Sequence, residues 1–239
     1  MSAPEPVWVV VPTFNEAETI EPLVRAVLEA LPANRRLLVV DDASPDGTGT
    51  IADRLGDELG DVETLHRARK MGIGPAYLAG FARALEAGAG RIVQMDADFS
   101  HDPADLPRLL DATGVPDLAI GSRYAPGGRI LDWGAGRLAI SRWGSAYART
   151  VLGLEVRDMT SGFKCWRRAT LEAIELDSVR SHGYAFQVEM TFRAVRAGCE
   201  VVEVPITFRD RRVGESKMTG SIVAEAAFQV PRLRLTRRG

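Results

Sequence analysis

The sequence predicts an α/β protein in which a mostly parallel sheet is flanked by helices. Over the first half of the chain, short runs of β-branched and aliphatic residues alternate with longer amphipathic runs, the order of repeated strand–helix–strand units. Three of the short runs are apolar without a break, which indicates strands buried on both faces. A chain of 239 residues can bury about three quarters of its unfolded surface in one domain. We therefore expect a single domain over 1–239, with its core at about 7–218 and a C-terminal helix and basic tail at 219–239.

The first half of the chain supplies the most regular part of this pattern. Four strands are expected, at 7–11, 36–40, 62–65 and 91–95. Three helices are expected between them, at 16–31, about 47–59 and 75–87. This alternation is the reason for expecting parallel strands, because each helix carries the chain back to the same end of the sheet.

The second half is less regular. The expected elements are a strand at 117–120, a loop at 121–136, helices at about 137–152 and 183–198, a strand at 200–208 and a mobile polar loop at 209–217. The 121–136 segment is assigned as a loop because it is rich in Gly, Arg and Tyr. The basic 209–217 segment is either a solvated loop or a lid that orders over a bound substrate.

Composition and charge narrow the class of protein. Hydrophobic residues make up 46% and charged residues 26%, values that are ordinary for a globular domain and favour neither disorder nor a fibrous repeat. The net charge is −2, yet residues 207–239 hold eight Arg or Lys against three Asp or Glu, a local balance of +5 that leaves −7 for the rest. We expect an anionic partner to meet the C-terminal end.

Cysteines, histidines and apolar runs exclude several alternatives. Cys165 and Cys199 cannot build a disulfide framework, and with three scattered histidines they match no zinc spacing. A reduced, cytosolic setting is the expectation. No run has the n-region and h-region of a signal peptide, and none approaches the roughly 20 apolar residues of a membrane-spanning helix. Any membrane contact is therefore expected to be peripheral or through a partner.

A polar segment follows each of five predicted strands, namely the four in the first half and the one at 117–120. These segments are PTFNEAET, DDASPDGTGT, HRARKMGIGPA, DADFSHDP and GSRYAPGG. Because the carboxyl ends of parallel strands lie at one edge of a sheet, where ligands bind, the five segments are expected to line one rim. Their carboxylates are Glu16, Asp41, Asp42, Asp96 and Asp98.

The rim matches neither of two common nucleotide-binding motifs. Its carboxylates instead suit a site in which a cation binds a diphosphate. GIGPAY at 72–77 has only the first two glycines of a dinucleotide fingerprint, and no Gly-x-x-x-x-Gly-Lys-Ser/Thr loop occurs. A dehydrogenase and a P-loop ATPase are therefore excluded. Acidic side chains repel a diphosphate unless a cation such as Mg²⁺ or Mn²⁺ bridges them through oxygen ligands. The DAD triplet at 96–98 is thus a candidate metal site.

Seven motifs then occur in a fixed order: VPTFNE, DDASPDGT, DADFSH, GSRY, DMTSGFKCWRR, GYAFQVEM and EVPITFRDRRVGESK. Together they resemble the dolichol-phosphate (polyprenol-phosphate) mannosyltransferases, and in particular members without transmembrane segments. The match runs from about Val7 to Met218. The resemblance implies a GT-A glycosyltransferase fold, and transfer of mannose from GDP-mannose to a polyprenyl phosphate with Mg²⁺ or Mn²⁺ as cofactor.

The resemblance also implies a nucleotide pocket at the ends of the first two strands. Its expected residues are Pro12, Phe14, Glu16, Val40 and Asp42, with Asp42 near the base or ribose. The departure from the family pattern lies elsewhere: some relatives have Gln where this chain has Ser100. A shorter hydroxyl leaves room for water in the metal's coordination shell, so Ser100 is not assigned as a ligand.

For the donor and acceptor phosphates, the resemblance implies a second set of residues. Asp96, Ala97 and Asp98 would hold the ribose and diphosphate, with Asp96 and Asp98 as metal ligands. The phosphate-binding cations would be Arg123, Arg137, Arg211 and Lys217. The residues expected to take part in catalysis are Asp98, Arg123, Arg211 and Lys217.

A phosphate acceptor determines the expected mechanism. Its second pKa is about 6, so at neutral pH it is largely a dianion and already a nucleophile. We therefore expect no obligatory general base, and a single displacement that inverts the anomeric carbon. A hydroxyl acceptor would instead need a carboxylate base, and Glu189 in QVEM is the candidate for that role.

Two other readings stay open. One is the same reaction with UDP-glucose or another sugar nucleotide, although such relatives usually carry membrane spans after the catalytic domain. The other is a non-catalytic nucleotide-sugar-binding subunit, which would have no need for the whole set of carboxylates and cations. The expected location is the cytosolic face of a membrane, with a possible separate anchoring subunit and no nucleic-acid partner.

Overall fold

In the computed structural model of the protein, a seven-stranded sheet forms the centre. Described here are residues 5–181, 183–210 and 229–235. The strands are β1 Val7–Thr13, β2 Arg35–Asp41, β3 Val62–His66, β4 Arg91–Gln94, β5 Leu118–Ser122, β6 Arg129–Ile130, β7 Lys164–Arg167, β8 Val201–Pro205 and β9 Thr207–Phe208. Their order in the main sheet is β3-β2-β1-β4-β7-β5-β8, and β6 pairs with β9 in a small second sheet.

Helices connect and cover these strands. They are α1 Ile20–Ala30, α2 Thr48–Leu59, α3 Ile73–Glu86, α4 Leu106–Ala112, α5 Ala135–Leu152, α6 Arg168–Ala173 and α7 Gly183–Arg196. Short 3₁₀ turns lie at Pro103–Asp105 and Leu176–Ser178, and residues 229–235 are helical. In α1 the apolar residues recur every three or four positions, which gives one buried stripe: Ile20, Leu23, Val24, Val27 and Leu28.

The strand pairing confirms a mostly parallel sheet. β1 pairs in parallel with both β2 and β4, β2 with β3, and β5 with β8. The exception is β7, which lies antiparallel between β4 and β5. The sequence did not predict this strand, because its four residues, KCWR, carry a charge at each end and give no alternation long enough to recognise.

Two expected elements differ in detail. The strand expected at 200–208 is divided, since β8 pairs with β5 while β9 leaves the main sheet to pair with β6. The loop expected at 121–136 contains β6 and the first residues of α5. Ile206 lies at the division, where its N–H donates to the Ser122 carbonyl and its carbonyl accepts from Arg129. Most of the expected 209–217 loop lies outside the described residues.

Both faces of the sheet are covered by apolar side chains. Val9 and Val39 point to one face, which packs against α1, α2 and α4. Val10 and Leu38 point to the other, which packs against α3, α6 and α7. All four valine and leucine side chains are fully buried. This two-sided burial explains the uninterrupted apolar runs and fixes the strand ends that carry the polar rim.

Gly80 permits the close approach of α3 to the sheet. A Cβ at this position would lie 2.3 Å from Val10 Cγ1 and 3.1 Å from Val40 Cγ2. We expect Gly80→Ala to lower the free energy of unfolding by about 1–3 kcal/mol, as overpacking does in other cores. Gly144 in α5 is the matched control, because a Cβ there meets no atom within 4 Å. In urea titrations Gly144→Ala should be neutral or stabilising by up to about 1 kcal/mol; equal effects of the two changes would contradict this account.

Candidate active site

The DAD triplet lies immediately after β4, at the rim where the carboxyl ends of the parallel strands meet. The Asp96 carboxylate accepts a hydrogen bond from the Tyr77 hydroxyl at 2.9 Å, and the Asp98 carboxylate accepts the Ser100 N–H at 3.0 Å. Burial, together with the Asp96 charge, raises the pKa of Tyr77 well above its usual value. Tyr77 therefore stays a proton donor that orients Asp96. Sequence reasoning missed it, because a tyrosine on an apolar helix face has the pattern of a core residue.

His101 supports the same loop from behind. Its ring is buried and stacked on Phe163, with centroids 5.0 Å apart, and Nδ1 accepts the Asp96 N–H at 3.4 Å. Burial lowers the pKa of His101 to about 4, so the imidazole is neutral at pH 7 and its lone pair is available to accept.

The donor set suits a hard divalent cation that is shared with a substrate. Asp96 and Asp98 present carboxylate oxygens, and Gly162 leaves space beside Asp96, since a Cβ there would lie 3.0 Å from its Oδ2. Among the described residues, no group of three or more His, Cys, Asp or Glu side chains forms a complete metal cage. Mg²⁺ and Mn²⁺ are often held by one or two carboxylates, with substrate phosphates and water completing the shell. The two carboxylates therefore fit the expected ion.

Of the residues expected in the nucleotide pocket, Asp42 has the best-defined surroundings. It is buried and accepts hydrogen bonds from the Arg67 guanidinium and, at 2.8 Å each, from the N–H groups of Met71 and Gly72. In this arrangement it anchors the segment before α3. That segment brings Lys70 Nζ to 3.6 Å from the centre of the Phe14 ring. The Asp42 carboxylate thus holds the 67–72 segment next to the end of β1 and Phe14.

The other expected pocket residues lie in two different environments, the end of β1 and the hydrophobic core. Pro12 and Glu16 lie at the end of β1 and in the turn after it, where Glu16 Oε2 accepts from the Thr19 hydroxyl at 3.0 Å. The side chains of Val40 and Ala97 belong to the two halves of the hydrophobic core. Any contact these two make with a ligand is therefore through the backbone.

Arg123 is held by a buried ion pair that sequence reasoning did not assign. Its backbone N–H and Nε donate to Asp158 Oδ2 at 2.9 and 2.8 Å, and Nη2 donates to Oδ1 at 2.6 Å and to Thr160 at 2.8 Å. Asp158 is fully buried and Arg123 is 7% exposed. Burial lowers the pKa of Arg123, but the Asp158 carboxylate more than offsets this, so the pKa is raised overall. The available signal was the first residue of the DMTSGF motif.

The segment that contains Asp158 joins the two halves of the site. Asp158 and Thr160 contact Arg123, while Gly162, two residues further on, faces the Asp96 carboxylate. The chain thus brings a fixed guanidinium and the candidate metal loop to the same edge. Arg123 and Asp96 are thus linked through one short segment.

Arg137 lies at the start of α5 and is paired with Asp210. Its Nη1 donates to both carboxylate oxygens at 2.8 Å, and its guanidinium lies 4.1 Å from the centre of the Trp133 ring. Among the described side chains, the buried N–H groups at Trp133 Nε1 and Arg137 Nε have no acceptor. Buried donors of this kind usually find a partner, and a ligand oxygen would supply one. The expected Arg211 and Lys217 lie outside the described residues.

Glu189 is engaged in a structural role. It is 3% exposed, accepts the Ser181 N–H at 2.9 Å and forms an ion pair with Arg193, whose Nη2 lies 2.7 Å from Oε1. Both oxygens are therefore used to tie α7 to the preceding turn. This arrangement weighs against Glu189 as the base for a hydroxyl acceptor.

A buried polar network lies below the strand ends. Lys164 Nζ donates to the Gln187 carbonyl at 2.9 Å and to its side-chain oxygen at 3.1 Å; Gln94 donates to that same oxygen at 2.6 Å. Trp166 Nε1 completes the network by donating to Gln94 Oε1 at 3.3 Å. Burial lowers the pKa of Lys164 to about 7. The network ties α7 to β4 and β7 directly beneath the DAD loop.

Hydropathy of the helices bears on membrane contact. Within the described ranges, none of the helices combines the length and the apolar character needed to cross a bilayer.

Solved structures share this fold. Glucosyl-3-phosphoglycerate synthase from Mycobacterium tuberculosis, in complex with phosphoglyceric acid, aligns with a TM-score of 0.73 at 20% identity, covering 98% of this chain and 82% of that one. The same enzyme in complex with Mn²⁺, UDP-glucose and phosphoglyceric acid aligns with a TM-score of 0.73 at 19% identity, covering 98% and 81%. At this identity the likeness establishes the fold, and it confirms the expected GT-A architecture.

Sequence relatives establish the family. The model of glycosyl transferase family 2 matches residues 8–174. Undecaprenyl-phosphate mannosyltransferase from Micrococcus luteus is 50% identical over 232 residues, which is 97% of this chain and 95% of the relative. Polyprenol monophosphomannose synthase from Mycolicibacterium smegmatis is 49% identical over 224 residues, 93% and 84% of the two chains. The resemblance found in the motifs is thereby confirmed: the chain belongs to glycosyl transferase family 2 and groups there with polyprenyl-phosphate mannosyltransferases.

Proposed function

We propose that the protein transfers mannose from GDP-mannose to a polyprenyl monophosphate, with inversion at the anomeric carbon. The observation that carries this proposal is the 158–162 segment, which holds Arg123 at one end and faces Asp96 at the other. A cation-binding loop and a fixed guanidinium on one edge suit a reaction in which two phosphate groups meet. The names of the relatives at 50% and 49% identity support mannose and a polyprenyl phosphate as substrates.

We further propose that Asp96 and Asp98 hold Mg²⁺ or Mn²⁺. When bound, the ion supplies Lewis-acid stabilisation of the charge that develops on the leaving diphosphate. Tyr77 orients Asp96 by its hydrogen bond, and His101 fixes the backbone of the same loop. The chain's own contribution is a pre-ordered pair of carboxylates, which costs little reorganisation during reaction.

Arginine side chains position the phosphates in this proposal. Asp158 uses the Nε and one Nη of Arg123, so the rest of the guanidinium can be offered to a phosphate oxygen. Arg137 retains an unpartnered Nε beside the equally unpartnered Trp133 Nε1. A phosphate oxygen between these donors would satisfy both. Arg211 and Lys217, which lie outside the described residues, are part of the same proposal on the basis of the motif resemblance.

No general base is needed for this acceptor. A phosphate monoester is largely a dianion at neutral pH, so it attacks without losing a proton. Glu189, the carboxylate considered for a hydroxyl acceptor, is occupied by Arg193 and the Ser181 N–H. The engagement of Glu189 favours the phosphate acceptor over an alcohol.

The nucleotide base of the sugar donor and the cellular location also belong to the proposal. Guanine is chosen over uracil from the family resemblance, and the 67–72 segment that Asp42 holds next to Phe14 is where that choice would be made. We propose that the protein works at a membrane surface, because its lipid acceptor lies there, with a separate anchoring subunit as a possible partner.

The test is a transfer assay on the purified protein with labelled sugar nucleotide and Mg²⁺ or Mn²⁺. We expect mannose to pass from GDP-mannose to a short polyprenyl phosphate, and none to pass to the corresponding polyprenol. UDP-glucose serves as the competing donor, and proton NMR of the product reports the anomeric configuration. Failure to transfer from any sugar nucleotide to polyprenyl phosphate would refute the enzyme assignment. Transfer to the free alcohol would restore a base-dependent mechanism.

A further inference from the structure

Phe99 has a backbone conformation that bulky side chains rarely adopt. It lies between Asp98 and Ser100 and has a φ of 58°, in the left-handed region. Glycine enters this region freely and asparagine enters it at a small cost, whereas an aromatic residue there is an outlier. Such outliers persist only where the surrounding structure compensates for them, and they concentrate at functional sites. The residues around Phe99 show both the compensating contact and what the conformation achieves.

The left-handed residue folds the chain back on itself directly after Asp98. The turn at Phe99 brings the Ser100 N–H to 3.0 Å from Asp98 Oδ1, so the backbone after the turn fixes the carboxylate before it. The Asp96 N–H donates to His101 Nδ1 at 3.4 Å, which closes the loop at its ends. An extended residue at position 99 would instead carry the Ser100 N–H away from Asp98. The orientation of the Asp98 carboxylate therefore depends on the conformation of its neighbour.

The phenyl ring of Phe99 supplies the compensating contact. It is half-buried and packs against the apolar cluster that covers the α1 face of the sheet. With Ala26 and Ala30 of α1 it lines a groove of about 450 Å³, which Pro103 and Pro107 also line. Removal of an aromatic ring from water is favourable. Burial of the ring thus offsets the cost of the left-handed backbone that carries it.

Packing of a phenyl ring does not by itself require this backbone. Phe81 and Phe163 are fully buried, and neither has a positive φ. Of the other non-glycine residues with positive φ, Asn15 and Asp132 belong to types that tolerate it. The strained aromatic residue is the one that follows a candidate metal ligand. The turn, more than the ring, is therefore the feature that needs a functional explanation.

We infer that Phe99 is a positioning residue for the candidate metal site: its buried ring holds the left-handed turn, and the turn holds Asp98 in the orientation that binds the cation. Phe99 itself is assigned no contact with the cation or a substrate. A cation binds the fraction of molecules in which the turn is formed, so loosening the turn lowers the apparent affinity by that fraction. The inference rests on the proposed role of Asp96 and Asp98 and adds the residue that pre-orders them.

Four variants of Phe99 separate the ring from the backbone. Phe99→Leu keeps an apolar side chain and should retain the parent affinity for Mn²⁺ to within about threefold. Phe99→Ala loses the ring but keeps the cost of the left-handed conformation, so its Mn²⁺ affinity should fall by about tenfold. Phe99→Gly and Phe99→Asn also lose the ring but adopt the conformation readily, so both should bind Mn²⁺ more tightly than the alanine variant. Electron paramagnetic resonance of Mn²⁺ in the presence of GDP measures all four.

Glu175 provides the matched control. It is an exposed residue with a φ of 53° in the turn after α6. Glu175→Ala and Glu175→Gly change the same backbone preference outside the candidate site and should leave Mn²⁺ affinity unchanged. A role in packing alone predicts that affinity at position 99 follows side-chain size, with glycine lowest. That order would overturn the inference, as would equal affinities of the alanine, glycine and asparagine variants or a parent-like alanine variant.

Hydrogen exchange separates this inference from the proposed metal site. Measured by NMR on the protein without metal or substrate, the Ser100 N–H should be protected in the parent and in Phe99→Leu, and should exchange about tenfold faster in Phe99→Ala. In the glycine and asparagine variants it should exchange more slowly than in the alanine variant. Equal exchange in the parent and Phe99→Ala would overturn the inference. A parent that protects this N–H in the expected order but binds no Mn²⁺ would refute the metal site and leave the positioning of Asp98 standing.

Kinetics distinguish positioning from contact with a substrate. Phe99→Ala should need about tenfold more Mn²⁺ for half-maximal transfer, yet approach the parent kcat at saturating Mn²⁺. A lower kcat with an unchanged Mn²⁺ requirement would place Phe99 against a substrate and overturn the positioning role.

Discussion

Replacement of Asp98 by asparagine should reduce kcat/KM for mannose transfer by about 10³-fold, which corresponds to about 4 kcal/mol of transition-state stabilisation. Asparagine keeps the size of the side chain and an oxygen that can accept the Ser100 N–H. It removes the negative charge that a divalent cation requires. The fold should therefore persist while the metal is lost.

Asp102 provides the matched control for that change. It lies four residues further on and is exposed, and its carboxylate caps the following 3₁₀ turn by accepting the Ala104 N–H at 3.0 Å. Asp102→Asn should leave kcat/KM within about twofold, because its role is local capping. Electron paramagnetic resonance of Mn²⁺ in the presence of GDP reports binding directly. Undiminished Mn²⁺ binding by the Asp98 variant would remove that residue from the ligand set.

Loss of the Asp158 charge should have the largest effect on stability. Asp158→Asn leaves the buried Arg123 guanidinium without its counter-charge, and breaking a buried ion pair from one side typically costs about 3–5 kcal/mol. The comparison is Glu58→Gln, which removes the charge from an exposed ion pair with Arg25 and should cost less than about 1 kcal/mol. Guanidinium chloride titrations followed by circular dichroism give both values.

A double variant tests whether the uncompensated charge of Arg123 is what destabilises Asp158→Asn. With Arg123 also changed to methionine, no uncompensated charge remains, and the protein should recover part of the stability lost in Asp158→Asn. That double variant should still be inactive, because the phosphate-binding guanidinium is gone. If Asp158→Asn unfolded at the same denaturant concentration as Glu58→Gln, the buried ion pair would contribute no more to the free energy of unfolding than the exposed one.

The predictable part of the fold is the part with strong periodicity. β1 and α1–α3 carry uninterrupted apolar runs or clear helical stripes, and their positions agree with the sequence to within a few residues. The strand β7 has four residues and lies in the sheet only because β4 and β5 pair with it on both sides. Such a strand is determined by tertiary pairing, and no local pattern reveals it.

The candidate site likewise has residues that the sequence predicts and residues that it does not. The carboxylates Asp96 and Asp98 could be found because they follow a strand at the rim. The residues that hold the site in place could not, because Tyr77, Asp158 and His101 look like core or turn residues until their partners are known. Tyr77 contacts Asp96, 19 residues away, and Asp158 contacts Arg123, 35 residues away. Composition and spacing carry no information on contacts of that range.

The antiparallel strand β7 also bears on how the chain is made. It occupies the middle of the sheet, although it follows β4 in the chain only after α4, β5 and α5. During synthesis from the N-terminus, the β1–β4 half can pair while the outer edge of β4 still has open N–H and C=O groups. That edge closes only when Lys164–Arg167 have left the ribosome. An open strand edge invites pairing with another chain, so the interval before β7 emerges is the stage of biosynthesis at which this protein most needs protection from aggregation.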